Sequence, residues 1–300
     1  MHHVVPKVYL RQFLIDGGKG GRFVWCYDFS NQYERRPRRL GINHKVFKSA
    51  DYYTDPRYSD PHVFEKGLLG GLIEPMYHQI MTEVNSERLP RLARENLLNW
   101  LSVAKFRSPF MREHVKRFMQ QYYNLANRMT GRNLTPEQEA ALQRHIAQAS
   151  KEVQLDAMTD SEVAVKRTQD TFAILNAKHW RILRSSSQIP FWTSDNPGFS
   201  PNMDPRFAVE RPFHHVMELN ADSVIYYVLS SRYCLEIEPF RQGTPLTEEW
   251  CALNMDITFE DASPEEIDFI NRGTFHTRHK LLISDSKELL DRCIGAEPLG

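Results

Sequence analysis

Across 300 residues Lys and Arg number 38 and Asp and Glu number 38, so no net field draws the chain to nucleic acid or an anionic membrane, and any basic binding surface must be local. The length suffices for a large domain with a substantial core, and Cys26, Cys234, Cys251 and Cys293 form no CxxC pair, which argues against a zinc ribbon, a thioredoxin motif or a disulfide framework and for reduced structural thiols. The opening MHHVVPKVYLRQF lacks the basic and apolar regions of a signal peptide, and no stretch approaches the ~20 apolar residues of a membrane span, so a cytoplasmic chain with no membrane partner is expected.

In chain order, the apolar run from Val4 to Ile15 ends at the glycine-rich Asp16 to Gly21, and the aromatic and β-branched segment Arg22 to Asp28 predicts a strand. The basic segment Glu34 to Arg39 reads as a solvated loop that could also meet phosphate. From Pro61 to about Lys178 apolar residues recur every three or four positions, as in Phe64, Leu68, Leu72, Met76 and Ile80, which predicts a helical middle. Capping-box patterns open helices at Thr135 to Gln138 and at Thr159 to Glu162; the helix from Glu137 to Val153 is largely polar and belongs on the surface.

Beyond Lys178 short β-rich runs return at 179–183, 190–193, 224–229, 233–237 and 256–259. Ser263 and Pro264 then open a helix to about Phe275, followed by a strand at 280–284 and a short helix from Ser286. With no repeat and no linker, the expectation is a single α+β domain over 1–300, its strand-rich N-terminal and C-terminal segments packed around the helical middle of about 61–178.

Chemistry concentrates in a few strings. In Phe191-Trp192-Thr193-Ser194-Asp195-Asn196-Pro197 a strand runs into short polar residues, where Asp195 could bind a metal, orient a histidine or act as a base; Asx residues before proline also form turns that need no function. His2, His3, Tyr9 and Arg11 bring imidazoles and a guanidinium close together, a combination suited to anionic substrates. Arg107 closes a helix, where its charge also suits the dipole; His276 and His279 could share a helix face as ligands, without an accompanying HExxH pattern. Glu65 and Glu74, nine residues apart at about 100° per residue, fall on opposite faces of a straight α-helix. No P-loop, GxGxxG, GxSxG or kinase signature appears.

Taken in order, His3-Val4-Val5-Pro6-Lys7-Val8-Tyr9-Leu10-Arg11-Gln12-Phe13, Tyr52-Tyr53-Thr54 ahead of Phe64-Glu65-Lys66, Arg107-Ser108-Pro109, Thr193 to Pro197 and Asn271 resemble a known bacterial family, the domain-of-unknown-function family 4238. The chain departs from that pattern over Phe199 to Pro212, which is proline-rich. The resemblance implies no reaction, but it implies that His3, Arg11, Arg107, Asp195, Asn196 and Asn271 belong together, with Ser194 beside them.

The expected function is a hydrolase, a nuclease or other phosphodiesterase: His3 as base or metal ligand, Asp195 as orienter or ligand, Arg107 with Arg11 on phosphate, and Ser194, Asn196 and Asn271 against substrate. A divalent metal is a compatible cofactor, and a nucleotide or nucleic acid reached through a local basic patch is the compatible partner. The alternative is a non-catalytic binding protein whose helical middle, with the polar helix 137–153 and Met119 to Tyr123, faces a partner.

Overall fold

The structure, a computed structural model, describes residues 2–18, 21–31, 33, 36–131, 133–158, 174–175, 178–185, 189–215, 222–239 and 257–296. Thr159 to Glu162 and Cys251 lie outside the described residues.

The N-terminal strands are β1 (His2–His3), β2 (Ile15–Asp16), β3 (Arg22–Asp28), β4 (Arg38–Leu40) and β5 (Lys48–Ser49). Between β1 and β2, Val4 and Val5 lead into a short helix α1 (Lys7–Leu10) and a 3-10 turn over Arg11–Phe13. Tyr9, Leu10 and Phe13 are fully buried there while Arg11 is exposed, so the Tyr-Leu-Arg-Gln-Phe string is mostly core. The described end of the basic segment is not a loop: Arg38 and Arg39 are in β4, where Arg39 lies over the Phe23 ring at 3.9 Å.

The helical middle consists of a π-helix (Phe64–Ile73) continuing into α2 (Glu74–Asn85), then α3 (Arg91–Arg107), α4 (Pro109–Thr130) and α5 (Pro136–Asp156). The apolar spacing signals the helix but not its width. Over 64–73 the backbone closes i→i+5 turns, and glycine makes room for them: a Cβ on Gly70 would stand 2.9 Å from the Glu65 carbonyl oxygen. Leu72 is consequently 54 % exposed, although the α-helical period assigns it to the core. Pro109 forces the break between α3 and α4, since it cannot donate the next helical bond, and Ser108 caps the new helix through its side chain to Met111 N–H. The Thr135 capping box with Gln138 forms as expected.

The C-terminal strands are β6 (Trp180–Arg184), β7 (Thr193–Ser194), β8 (Ser200–Pro201), β9 (Phe213–His214), β10 (Ile225–Val228), β11 (Tyr233–Ile237), β12 (Thr258–Asp261) and β13 (Leu281–Ser284). Helix α6 (Pro264–Thr277) precedes β13, opened by a Ser263–Glu266 capping box, and α7 (Lys287–Ala296) follows it. One sheet has the order β10-β11-β6-β12, with β12 parallel to β6 and the other pairs antiparallel.

A second sheet joins the two ends of the chain in the order β2-β3-β13-β7, with β4 also on β3. The α+β expectation with strand-rich ends around a helical middle therefore holds. The main apolar cluster draws on all three parts, from Tyr9 and Phe13 through Tyr77, Trp100 and Leu101 to Trp180, Tyr227 and Ile283. Cys26 and Cys234 are buried within it, and burial pushes both thiols well above their ordinary range. No helix among the described residues is long and apolar enough to cross a membrane.

Candidate functional site

Two knots of buried polar groups flank a cleft, and the strings singled out in the sequence build both of them. The first centres on Arg107, which is 1 % exposed at the end of α3. Its Nη2 donates to the His3 carbonyl at 2.9 Å, its Nε to the Tyr53 hydroxyl at 3.2 Å and its Nη1 to Glu74 at 3.3 Å, while the Tyr53 hydroxyl donates back to the Arg107 carbonyl at 3.0 Å. Glu65 also feels this guanidinium and Glu74; burial raises its carboxyl above the usual range. The two glutamates thus share one surrounding, contrary to the opposite-face expectation, because the π-helix fits more residues into each turn than an α-helix does. Arg107 is a clasp between the N-terminal strand and the helices, and it is not among the residues lining the cleft.

His3 lies beside this clasp, 7 % exposed, with neither ring nitrogen in a well-formed hydrogen bond. Burial first, then Lys7, Lys48 and Arg107, pulls its imidazole down to about 4, against a weaker pull from the Val5 backbone. An unfolded histidine takes up its proton near pH 6.5, so stability attached to His3 is present above that pH and is lost as pH falls from 6.5 towards 4. Partial solvation leaves roughly 2 kcal/mol of this. We expect His3→Phe to reduce by about that amount the stability lost between pH 7 and about pH 4.5. Denaturant titrations at both pH values check it; the same acid loss in variant and wild type would contradict the account.

The second knot follows from strand register. Because Thr193 and Ser194 pair with Ile283 and Leu282 across β7 and β13, the next residue, Asp195, arrives beside the backbone leading into β13. Its Oδ1 accepts the N–H groups of His279, Lys280 and Leu281, each at 3.1 Å, and its Oδ2 accepts that of Lys280 at 3.0 Å. For Asp195 the local-turn reading gives way to a clamp on a segment more than 80 residues away, while Ser194 keeps a turn bond to its own backbone. Burial raises the Asp195 carboxyl, and these backbone donors together with His279 oppose that rise.

The neighbours of Asp195 are equally occupied. Ser194 Oγ accepts Asn196 N–H at 3.1 Å, and Asn196 Nδ2 donates to the carbonyls of Thr277 and His215. Lys105 is buried and donates to Asn196 Oδ1, Pro197 O and Gly198 O, three acceptors that match the three protons of an ammonium although burial lowers its pKa to about 7. Asn271 bridges Trp192 N–H and the Pro190 carbonyl. Asn196 and Asn271 thus hold the segment 190–198 against α6 and α3.

Between the knots opens a cleft of about 370 Å³, a volume suited to a small ligand. Lys45, Lys48, Arg112 and Lys280 line it together with Asp28, Glu113, Asp195 and His279. Arg112 is anchored by Nε to Gln154 at 2.7 Å and Nη2 to the Tyr52 carbonyl at 2.6 Å, with its guanidinium 3.5 Å from the Tyr52 ring centroid; these two bonds use two of its five N–H groups. The His279 imidazole is half-buried, and burial lowers its pKa, with Asp195 and Glu113 favouring its charge and Lys280 and Arg117 opposing it. A neutral imidazole beside carboxylates and cations can accept a proton at neutral pH.

Of the catalytic and ligand candidates singled out from sequence, Asp195 and His279 line this cleft, beside Val4, Tyr52 and Pro109 of the family-like strings; His3, Arg11, Arg107, Ser194, Asn196 and Asn271 do not. His276 and His279 do not share a helix face, because α6 ends at Thr277; the His276 ring stacks on Phe213 instead. Lys45, Lys48, Arg112, Glu113 and Lys280 carried no local signal, since each belongs to an ordinary stretch and they meet through the β1–β5 and β7–β13 pairings and the packing of α4. No three His, Cys, Asp or Glu side chains among the described residues are grouped to hold a metal ion.

Searches of curated proteins and of solved structures find no match. One family model, described as a protein of unknown function (DUF4238), matches residues 1–288. The motifs that build the two knots all fall within that span, and the chain belongs to the DUF4238 family.

Proposed function

We propose that the cleft binds a small phosphate ester, such as a nucleotide or the end of a short strand, and hydrolyses it with His279 as the proton-transfer group. The observation that carries this reading is the meeting of Lys45, Lys48, Arg112 and Lys280 with the His279–Asp195 pair in one small concavity. A phosphoryl group spreads negative charge over its oxygens, which ammonium and guanidinium groups stabilise most where charge develops in the transition state. His279 takes a proton from water as the water oxygen attacks phosphorus; the ester P–O bond breaks, and the imidazolium returns the proton to the departing oxygen. Asp195 fixes the backbone of His279 and so positions the ring, while Asp28 and Glu113 limit the net positive charge of the lining and disfavour a long polyanion. A cytoplasmic location suits the buried thiols Cys26 and Cys234.

Calorimetric titration with inorganic pyrophosphate tests the binding half. Wild-type protein is expected to bind it, and the double variant Lys48→Ala with Lys280→Ala is expected to bind at least about tenfold more weakly, with an unchanged melting temperature. Absence of binding in wild type, or equal affinity in the double variant, would remove the cleft as a phosphate site.

A further inference from the structure

We propose that α4 is the contact face of a homodimer in which two copies of this helix pack antiparallel. Phe118, Tyr122, Leu125 and Met129 are 66, 64, 56 and 79 % exposed and follow one another at spacings of four, three and four residues, so they form one apolar stripe. The half-buried Val115 and Met111 continue it toward the helix start at the same alternation. Among the residues of α4 none is buried, and the side turned to α5 meets it through Gln120 with Gln143 and Tyr123 with His145, which leaves the stripe uncovered among the described residues. Its exposed side chains amount to on the order of 500 Å², at the upper end of what monomers leave open.

A second copy fits this stripe better than a charged partner does. From Phe118 to Asn127 the helix carries no charged residue, so an oppositely charged surface would have nothing to engage at the centre. Read against itself in the opposite direction, the stripe is self-complementary: Phe118 meets Tyr122 of the other copy, Val115 meets Leu125, and Met111 meets Met129, each pair occurring twice about the two-fold axis. Gln121 then flanks its own counterpart. Parallel pairing would instead set the exposed Arg117 of one copy level with Arg117 of the other, whereas antiparallel pairing sets it level with the neutral Tyr123. Twice the stripe gives about 1,000 Å², the lower end of what a specific interface buries.

Sedimentation equilibrium of the full chain from about 1 to 100 μM tests this. Wild type is expected to pass from monomer to dimer over that range, and Leu125→Glu to remain monomeric with an unchanged helical circular dichroism spectrum. Under mild oxidation Gln121→Cys is expected to form a cross-linked dimer and Met129→Cys is not. A wild type that is monomeric throughout, a Leu125→Glu protein that still dimerises, or cross-linking through Met129→Cys and not Gln121→Cys would overturn the proposal.

Discussion

Asp195→Ala is expected to lower the unfolding free energy by about 4 kcal/mol, which is most of the margin of an ordinary domain. The carboxylate is 3 % exposed and accepts the backbone N–H groups of His279, Lys280 and Leu281, the segment that delivers β13 to the sheet joining the two ends of the chain. Removing it orphans three donors at ~1–3 kcal/mol each, and water reaching the part-buried N–H groups of His279 and Lys280 recovers part of that. Asp195→Asn keeps the shape and one acceptor oxygen and should lose about half as much. Urea unfolding of the three proteins checks the series. A Asp195→Ala protein as stable as wild type would show that the clamp contributes nothing. Loss of activity in this variant is therefore no sign of a chemical role, since the fold around His279 loosens with it.

His279→Gln should behave in the opposite way, with little change in melting temperature and a loss of at least about 10²-fold in turnover, the usual contribution of a positioned proton-transfer group. The His279 backbone N–H, which Asp195 holds, remains in the variant, so the positioning of the segment survives. Burial keeps the imidazole below the ordinary histidine range, so it is neutral at pH 7 and able to act as a base. The sign of the pH dependence follows: turnover falls as pH drops through the lowered value, levels off at higher pH, and loses this inflection in His279→Gln. Added imidazole should restore part of the variant's activity. An inflection that persists in the variant would assign the titration to another group.

Much of the fold could be read from local rules. The capping boxes at Thr135 and Ser263, the Pro109 break and the β-branched runs of β3 and β11 each depend on residues within a few positions of one another. The width of the 64–73 helix could not, because an i→i+5 turn depends on Gly70 and Gly71 tolerating carbonyls within about 3 Å of a would-be Cβ, and glycine alone does not announce that. The site divides along the same line. Polar strings were visible as unusual, and they do gather around one region, but Arg107, Asn196 and Asn271 spend their hydrogen bonds on backbone groups and on side chains inside the fold. The groups left to face the cleft, Lys48, Arg112 and the adjacent His279 and Lys280, come from three segments far apart in the chain, whose meeting depends on long-range strand register and helix packing.

The central claim is that the cleft hydrolyses phosphate esters through His279, and the most direct measurement is turnover of bis(p-nitrophenyl) phosphate and of p-nitrophenyl esters of nucleotides by wild type and His279→Gln, each with its melting temperature recorded. Turnover by wild type that falls at least about 10²-fold in an equally stable His279→Gln protein is the predicted result. No turnover by a folded wild type on any of these esters, or equal turnover by the two proteins, would contradict it.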